Sequence, residues 1–409
     1  MMALPPGPPG ARRAAAPPRP PLLVRIDGEW YDLSAFAHPG GAEVLRRNSG
    51  GDATHLFYSN HWDPQLSLLR RFRLPEGCVP PPFDAGASPT SDPHSALYRN
   101  LKAEVHAHLR ARGVEWRHTF RWQPYLLRLM CLIGAREALA RGHPVLGLGC
   151  AAVYGLLTGR MTWTHAHNGV HNPHAIPPLM RGLMRFDFAC LVEAWMGEHH
   201  THHAHTNGER DPDAGWFRPL LDYRAVAAGG GSTLTAALAC AAYPFLLPFM
   251  LARSLMHAYA ADPDGRSVLL WAVPVVPLRF GIDAAVLGPA GFLAAMAVAT
   301  AYIVGTFSAT HQTGWNYERS GDWAIDQMHS TNDVWPRSAL WSALTGGISL
   351  HTEHHLFPRI SSDALPEVAL VVERFARRHG LPRHAYSPAG LLARHAAFLS
   401  GAAREKRAP

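Results

Sequence analysis

The sequence predicts an α-helical integral membrane protein with about four transmembrane helices and a cytosolic helical cap, preceded by a small α+β domain. Three observations predict it. Charged residues make up only 17% of the 409-residue chain, while hydrophobic residues make up 47%, so apolar surface is expected that never meets water. The apolar residues gather in long stretches after residue 120. The 26 histidines cluster instead of scattering. This composition excludes a disordered chain and a highly charged solenoid. The net charge of +7 is carried almost wholly by arginine, since Lys102 and Lys406 are the only lysines. No arginine-rich run is interleaved with aromatics, so no nucleic-acid partner is expected. Cys78, Cys131, Cys150, Cys190 and Cys240 form no Cys-x-x-Cys pair. That argues against a disulfide framework or a zinc–thiolate site, and for a reducing, cytosol-facing environment.

Taken in order, residues 1–21 are Pro-, Ala- and Arg-rich, lack acidic residues and lack a signal-type apolar core. They read as a disordered tail. A transit peptide would share the basic, acid-free composition but not the proline content. Residues 22–75 read as a small domain: a strand-like run Leu23–Ile26, a turn at Asp27-Gly28, then helical patches at 42–47 and 64–71. A core this small usually needs a bound group for stability, so a cofactor is expected there. Residues 76–93 are a Pro-rich, then small and polar linker.

Residues 94–400 form the membrane domain, and 401–409 a tail. Apolar stretches fall at 124–140, 144–163, 233–256, 267–286 and 287–309. Arg136 and Glu137 interrupt the first, Pro244 and Pro248 the third, and Arg279 and Asp283 the fourth. Parity constrains which of them cross. If the histidine clusters before and after the last three stretches share one side, only two of the three can span. The proline-broken 233–256 is then interfacial or folded back. Residues 360–400 are amphipathic, with Leu365, Val368, Val371 and Val372 at helical spacing.

Two constellations carry chemistry. In the small domain, His38-Pro39-Gly40-Gly41 precedes Gly50-Gly51-Asp52-Ala53-Thr54, then Phe57 and His61. Two imidazoles on opposite faces of a porphyrin iron suit an electron carrier, because they leave no open position for oxygen. Pro and Gly let the chain turn tightly beside the macrocycle. These motifs resemble cytochrome b5 over residues 22–75. The resemblance implies haem b ligated by His38 and His61. His55 competes for the second position; His61 is preferred because it lies four residues past Phe57.

The second constellation is three boxes: His167…His171, His199…His202-His203 and His351…His354-His355. Spacings of i, i+3 and i+4 place each box on one helix face, so three helices can direct imidazoles at one spot. Imidazole suits iron, zinc, copper and nickel. Neutral ligands leave two dications uncompensated, so outer carboxylates are expected; Glu198, Glu353, Asp187 and Asp322 are nearby in sequence. The boxes resemble those of membrane fatty acid desaturases and their hydroxylase relatives. So do the continuations Ala204-His205-Thr206-Asn207, Asp211-Pro212-Asp213 and Leu356-Phe357-Pro358-Arg359, and the segment Gly321-Asp322-Trp323. With the haem domain, the whole resembles a cytochrome b5-fused, front-end acyl desaturase. Front-end members usually open box three with Gln where this chain has His351, which bears on the carbon attacked.

The resemblance implies a di-iron centre held by these eight histidines, which carry the catalysis, with His311 as a ninth ligand. It implies a cis double bond made in a fatty acyl chain, carried as acyl-CoA or acyl lipid, with O2 reduced to water. Electrons would arrive singly through the haem from an NADH–cytochrome b5 reductase, since no Gly-x-Gly-x-x-Gly fingerprint supplies a nucleotide site. The bilayer partner would be the endoplasmic reticulum membrane, crossed several times, with haem domain and active site cytosolic; another organelle membrane is the alternative. Arg181, Arg185 and Arg359 are candidates to hold an anionic headgroup. The rival readings are a lipid hydroxylase of the same superfamily, a non-catalytic metal-binding membrane protein and a degenerate electron donor.

Overall fold

The computed structural model describes residues 21–38, 45–46, 48–61, 66–76, 91–117, 120–172, 176–189, 191–261 and 266–402. Both tails beyond residues 21 and 402, Pro39–Gly41 of the haem motif and linker residues 77–90 lie outside the described residues, as do Cys78 and Cys190. Cys131, Cys150 and Cys240 are free thiols.

Strands β1 (Leu23–Ile26) and β2 (Glu29–Asp32) pair antiparallel, Ile26 opposite Glu29. Asp27 and Gly28 both have positive φ, 51° and 81°, the two-residue hairpin turn whose twist matches the strands. Val24, Ile26, Tyr31, Leu33, Leu45, Ala53 and Leu69 close a core under the hairpin. Helix α1 (Thr54–Asn60) ends on His61.

Helix α2 (Ala96–Arg112) starts on the Ser95 cap and stops at left-handed Gly113. The bundle follows. Helix α3 (Gln123–Ala140) and helix α4 (Pro144–Met161) form a hairpin. α4 runs on through a π-helical stretch, Thr162–His167, into Asn168–His171. Helices α5 (Pro178–Asp187) and α6 (Leu191–His205) come next. Helix α7 (Thr233–Ala242) and helix α8 (Leu247–Ala261) follow. Across this pair the apolar segment bends by 81° between Thr233–Phe245 and Pro248–Met256. Pro244 and Pro248 account for the break, since neither donates a helix hydrogen bond.

Helix α9 (Arg266–His311) is broken only at Gly288, with φ 67° and ψ 172°. Sequence reading divides it into stretches meeting at 286/287, two residues from that break. The second half runs alongside α4, with small residues at the contact. A Cβ on Gly155 would stand 2.2 Å from the Ala295 carbonyl oxygen, and one on Gly159 2.8 Å from the Tyr302 ring. Such contact without side chains is how helices associate where lipid supplies no hydrophobic drive. Among the described residues, two helical segments are long and apolar enough to cross a membrane, Pro144–His171 and Ala272–His311. The bent pair would make a third if it is one span.

Polar groups meet inside this bundle. Arg128 of α3 pairs with Asp187 at the end of α5. Arg279 lies 3.5 Å from Asp187 and 2.5 Å from Asp283. Tyr154 donates to Asp283 at 2.9 Å and accepts from Arg279 at 2.9 Å. All five are buried.

A further helical layer is built from α2, helix α10 (Trp323–Ser330), helix α11 (Ala339–Thr345), helix α12 (His351–Leu356), helix α13 (Leu365–His379) and helix α14 (Pro388–Leu399). Val368, Val371, Val372 and Phe375 of α13 pack on Leu101, Val105 and Leu109 of α2, the apolar stripe read from their spacing. The short parallel strands β3 (Asp333–Val334) and β4 (Ala385–Tyr386) pin this layer beside α12.

Candidate metal centre

His38 and His61 face each other with ring centroids 5.9 Å apart. Metal–imidazole bonds of about 2 Å, plus about 1 Å from each nitrogen to its ring centre, put two rings on opposite faces of one iron about 6 Å apart. His61 Nδ1 lies 2.8 Å from the Phe57 carbonyl oxygen. A carbonyl only accepts, so Nδ1 carries the hydrogen and Nε2 keeps its lone pair. Burial pushes the His61 imidazole down to about 4, which keeps it neutral. These features fit a bis-imidazole haem. The competitor His55 is turned elsewhere: its ring lies against His205, centroids 5.3 Å apart, and its Nε2 is 3.4 Å from Ser91 Oγ.

The three boxes converge. The π-helical stretch that ends on His167 widens one turn of the helix, a distortion frequent at functional sites. It leaves His167 and His171 with ring centroids 5.0 Å apart. His167, His171, His199, His203 and His354 form one buried group, with one ring nitrogen from each within 4.8 Å of the others. Within it, Nε2–Nε2 distances are 2.9 Å for His171–His199, 3.0 Å for His199–His203 and 3.1 Å for His203–His354. One shared hydrogen satisfies one such contact, never the whole chain of them. Two nitrogens on neighbouring positions of one ion at about 2.1 Å stand about 3 Å apart. Burial, aided by the neighbouring imidazoles, holds His199, His203 and His354 well below the usual 6.5. They are neutral donors of lone pairs, as metal ligation needs.

His202, His311 and His355 form a second buried group. His351 joins it, its Nε2 2.7 Å from His311 Nε2. The groups touch where His203 stacks on His355 with centroids 4.1 Å apart. Partners on the far ring nitrogen fix the direction of these imidazoles. His311 Nδ1 donates to the Ser330 carbonyl at 2.9 Å, and His355 Nδ1 lies 2.9 Å from Gln327 Oε1. His202 Nδ1 sits between Asp211 at 3.0 Å and Asp213 at 3.1 Å. Burial opposes protonation of His202, but the two carboxylates outweigh it and raise it to about 9. The residues present fit two cations side by side, one per group.

All nine box and flanking histidines singled out in the sequence lie in these two groups. The carboxylates expected around them are only partly there. Asp187 instead pairs with Arg128 and Arg279 inside the bundle. Asp322 instead caps α10. Glu353 turns from its box to Arg383 at 2.6 Å, and Glu198 accepts from Ser254 at 3.2 Å. Asp211 supplies the anionic partner, with Asp213 beside it, its carboxyl pushed well up by burial; both stand in the sequence as the continuation of box two. Their role was not readable, because the contact closes between a helix and the loop beyond it. Of the arginines considered for an anionic group, Arg181 is exposed, while Arg359 is half-buried with an unpartnered Nε.

The family model described as "Fatty acid desaturase" matches residues 142–387, and "Cytochrome b5-like Heme/Steroid binding domain" matches residues 15–76. Curated relatives span most of both chains. The acyl-lipid (8-3)-desaturase of Mortierella alpina is 22% identical, over 88% of this chain and 89% of its own. Delta(5) fatty acid desaturase A of Dictyostelium discoideum is 24% identical, over 88% and 86%. The acyl-lipid 8-desaturase of Rebecca salina is 26% identical, over 88% and 87%. No solved structure matches the chain.

Proposed function

The chain belongs to the fatty acid desaturase family, with a cytochrome b5-like domain ahead of the catalytic part, and on that premise we propose a front-end acyl-lipid desaturase. The carrying observation is the pair of all-imidazole groups beside a docked haem domain. His167, His171, His199, His203 and His354 hold one iron; His202, His311, His351 and His355 hold the other; His38 and His61 hold the haem. Bound iron supplies the oxidation of an unactivated methylene by O2, which no acid or base side chain can perform. Two hydrogen atoms, with their two electrons, would leave the acyl chain. Two further electrons supplied through the haem, with two protons from solvent, would complete the reduction of O2 to two waters.

The chain's own residues set the geometry. Asp211 balances charge at His202, and Asp213 helps to orient its ring. A groove of about 1710 Å³ runs between α3, α4, α11 and α13. Leu127, Leu156, Leu157, Leu344 and Leu370 give it apolar walls, and it reaches Asn168, the neighbour of His167. It suits a long acyl chain better than a compact solute. The substrate is an acyl lipid of the kind that the relatives' names give. The domain limits are 22–75 for haem and 94–400 for catalysis. Two halves of α9 and the α3–α4 hairpin make four spans, with α7 and α8 folded back. Haem domain, second helical layer and histidines face the cytosol of the endoplasmic reticulum, where an NADH-dependent reductase reduces the haem.

Expression in a desaturase-deficient host, with double-bond mapping of total lipid, tests this. New unsaturation near the carboxyl end, absent from a His203→Ala control, is the expected result. A product heavier by one oxygen would make the chain a hydroxylase. No new product, against an active relative as positive control, would overturn the reading.

A further inference from the structure

Two histidines belong to neither the haem pair nor the iron groups, yet they meet where the domains join. His55, on α1 of the haem domain, is 3% exposed, and its ring packs on His205 with centroids 5.3 Å apart. His205 ends α6, the helix of box two. Its covalent neighbour Thr206 donates to the His202 carbonyl at 2.8 Å, and its hydroxyl lies 3.2 Å from His355 Nδ1. At the other end, α1 leads directly into His61. The junction is clamped as well as touched. Lys102 Nζ of α2 donates to the Tyr58 and His61 carbonyls at 2.8 and 3.3 Å, placing a cation at the C-terminal end of α1. Tyr58 stacks on His94 with centroids 4.1 Å apart.

We propose that the imidazoles of His55 and His205, packed at an interplanar angle of 58° and continued through Thr206 to His355, form the electron bridge from haem to iron pair in a docked domain. The inference rests on the ligand assignments above. Ferrous haem gives one electron and becomes ferric, and one ferric ion of the pair becomes ferrous. A one-electron reductase restores the haem before the second passage. Tunnelling falls off steeply with empty gaps, and close-packed rings leave none. The linker therefore tethers a domain already in place; it does not set a search volume as for a free one. Neither imidazole need change charge, so packing of a ring, and not its chemistry, is what matters.

The test uses full-length protein loaded with haem and iron. The haem is reduced by an anaerobic light flash, and its reoxidation is followed in the Soret band. His55→Leu and His205→Leu should slow reoxidation about tenfold, while His55→Phe and His205→Phe stay within about twofold of wild type. Haem midpoint potential and iron content should not move. Wild-type rates in both leucine variants, with haem and iron intact, overturn the bridge; so does equal slowing in the phenylalanine variants. If the leucine variants do not assemble, Thr206→Val decides: slowing supports the route and a wild-type rate defeats it. Iron-dependent haem reoxidation without any lipid product would defeat the desaturase reading and leave the bridge standing.

Discussion

His202 Nδ1 lies 3.0 Å from Asp211 Oδ1 while its Nε2 lies 3.2 Å from His311 Nε2. One ring thus joins a buried carboxylate to the second group of imidazoles. The carboxylate fixes which nitrogen faces the cation and makes that nitrogen a stronger donor. Asp211→Asn keeps the shape and removes the charge, so it should weaken iron at that position by about 10- to 100-fold. Metal analysis per haem should fall from two non-haem irons toward one. Full retention of both would refute the role.

His38 and His61 face each other in the haem domain. His61→Ala should abolish the low-spin haem spectrum and leave non-haem iron in place. A retained bis-imidazole spectrum would move the ligand to another histidine.

Arg383 bridges Glu353 at 2.6 Å and Asp333 at 2.7 Å, and both carboxylates are fully buried. Arg383→Met strands two buried acids. Removing one partner of such a cluster costs about 3–5 kcal/mol. Thermal unfolding in detergent should show a large drop, shared only in part by Glu353→Gln.

Gly155 faces the Ala295 backbone so closely that a methyl group would stand 2.2 Å from its carbonyl oxygen. Gly155→Ala must push α4 off α9 and should cost about 1–3 kcal/mol. Gly149→Ala, on the same helix with open space around it, should be tolerated. Equal melting temperatures for the two variants would contradict the close contact.

His395 ties α14 to Tyr243 at 2.7 Å and to the Gln312 carbonyl at 2.8 Å. Burial lowers it from 6.5 to about 4. The folded protein therefore binds fewer protons than the unfolded chain between these values. Its contribution is complete above pH 6.5 and is lost as pH falls toward 4, by up to about 3 kcal/mol. Unfolding measured across that window should show a shallower pH slope in His395→Gln. An unchanged slope would assign the acid sensitivity to other groups.

The gathering of the eight box histidines was legible in the sequence because helical spacing is local: i, i+3 and i+4 fix a face before any tertiary contact exists; His311 was reached only through the resemblance. The small domain was legible through its turn and histidine motif, and the two apolar stretches of α9 were divided two residues from its break, although Gly288 itself was not read as the breaking residue. Asp211 and Asp213 were not, nor the true partners of Asp187 and Glu353, because each depends on which distant arginine or imidazole arrives. The His55–His205 contact was hidden for the same reason. It joins positions 150 residues apart on separate domains, and His55 reads in sequence only as a spare haem ligand.

The knot of Arg128, Asp187, Arg279, Asp283 and Tyr154 also fixes an order of assembly. Arg128 finds its carboxylate in Asp187, made before α9, and Asp187 in turn meets Arg279. Buried charges are costly until their partners are in place, so the knot closes only when α9 brings Arg279 and Asp283 to Tyr154. The last third of the chain thereby locks a contact that the first third began.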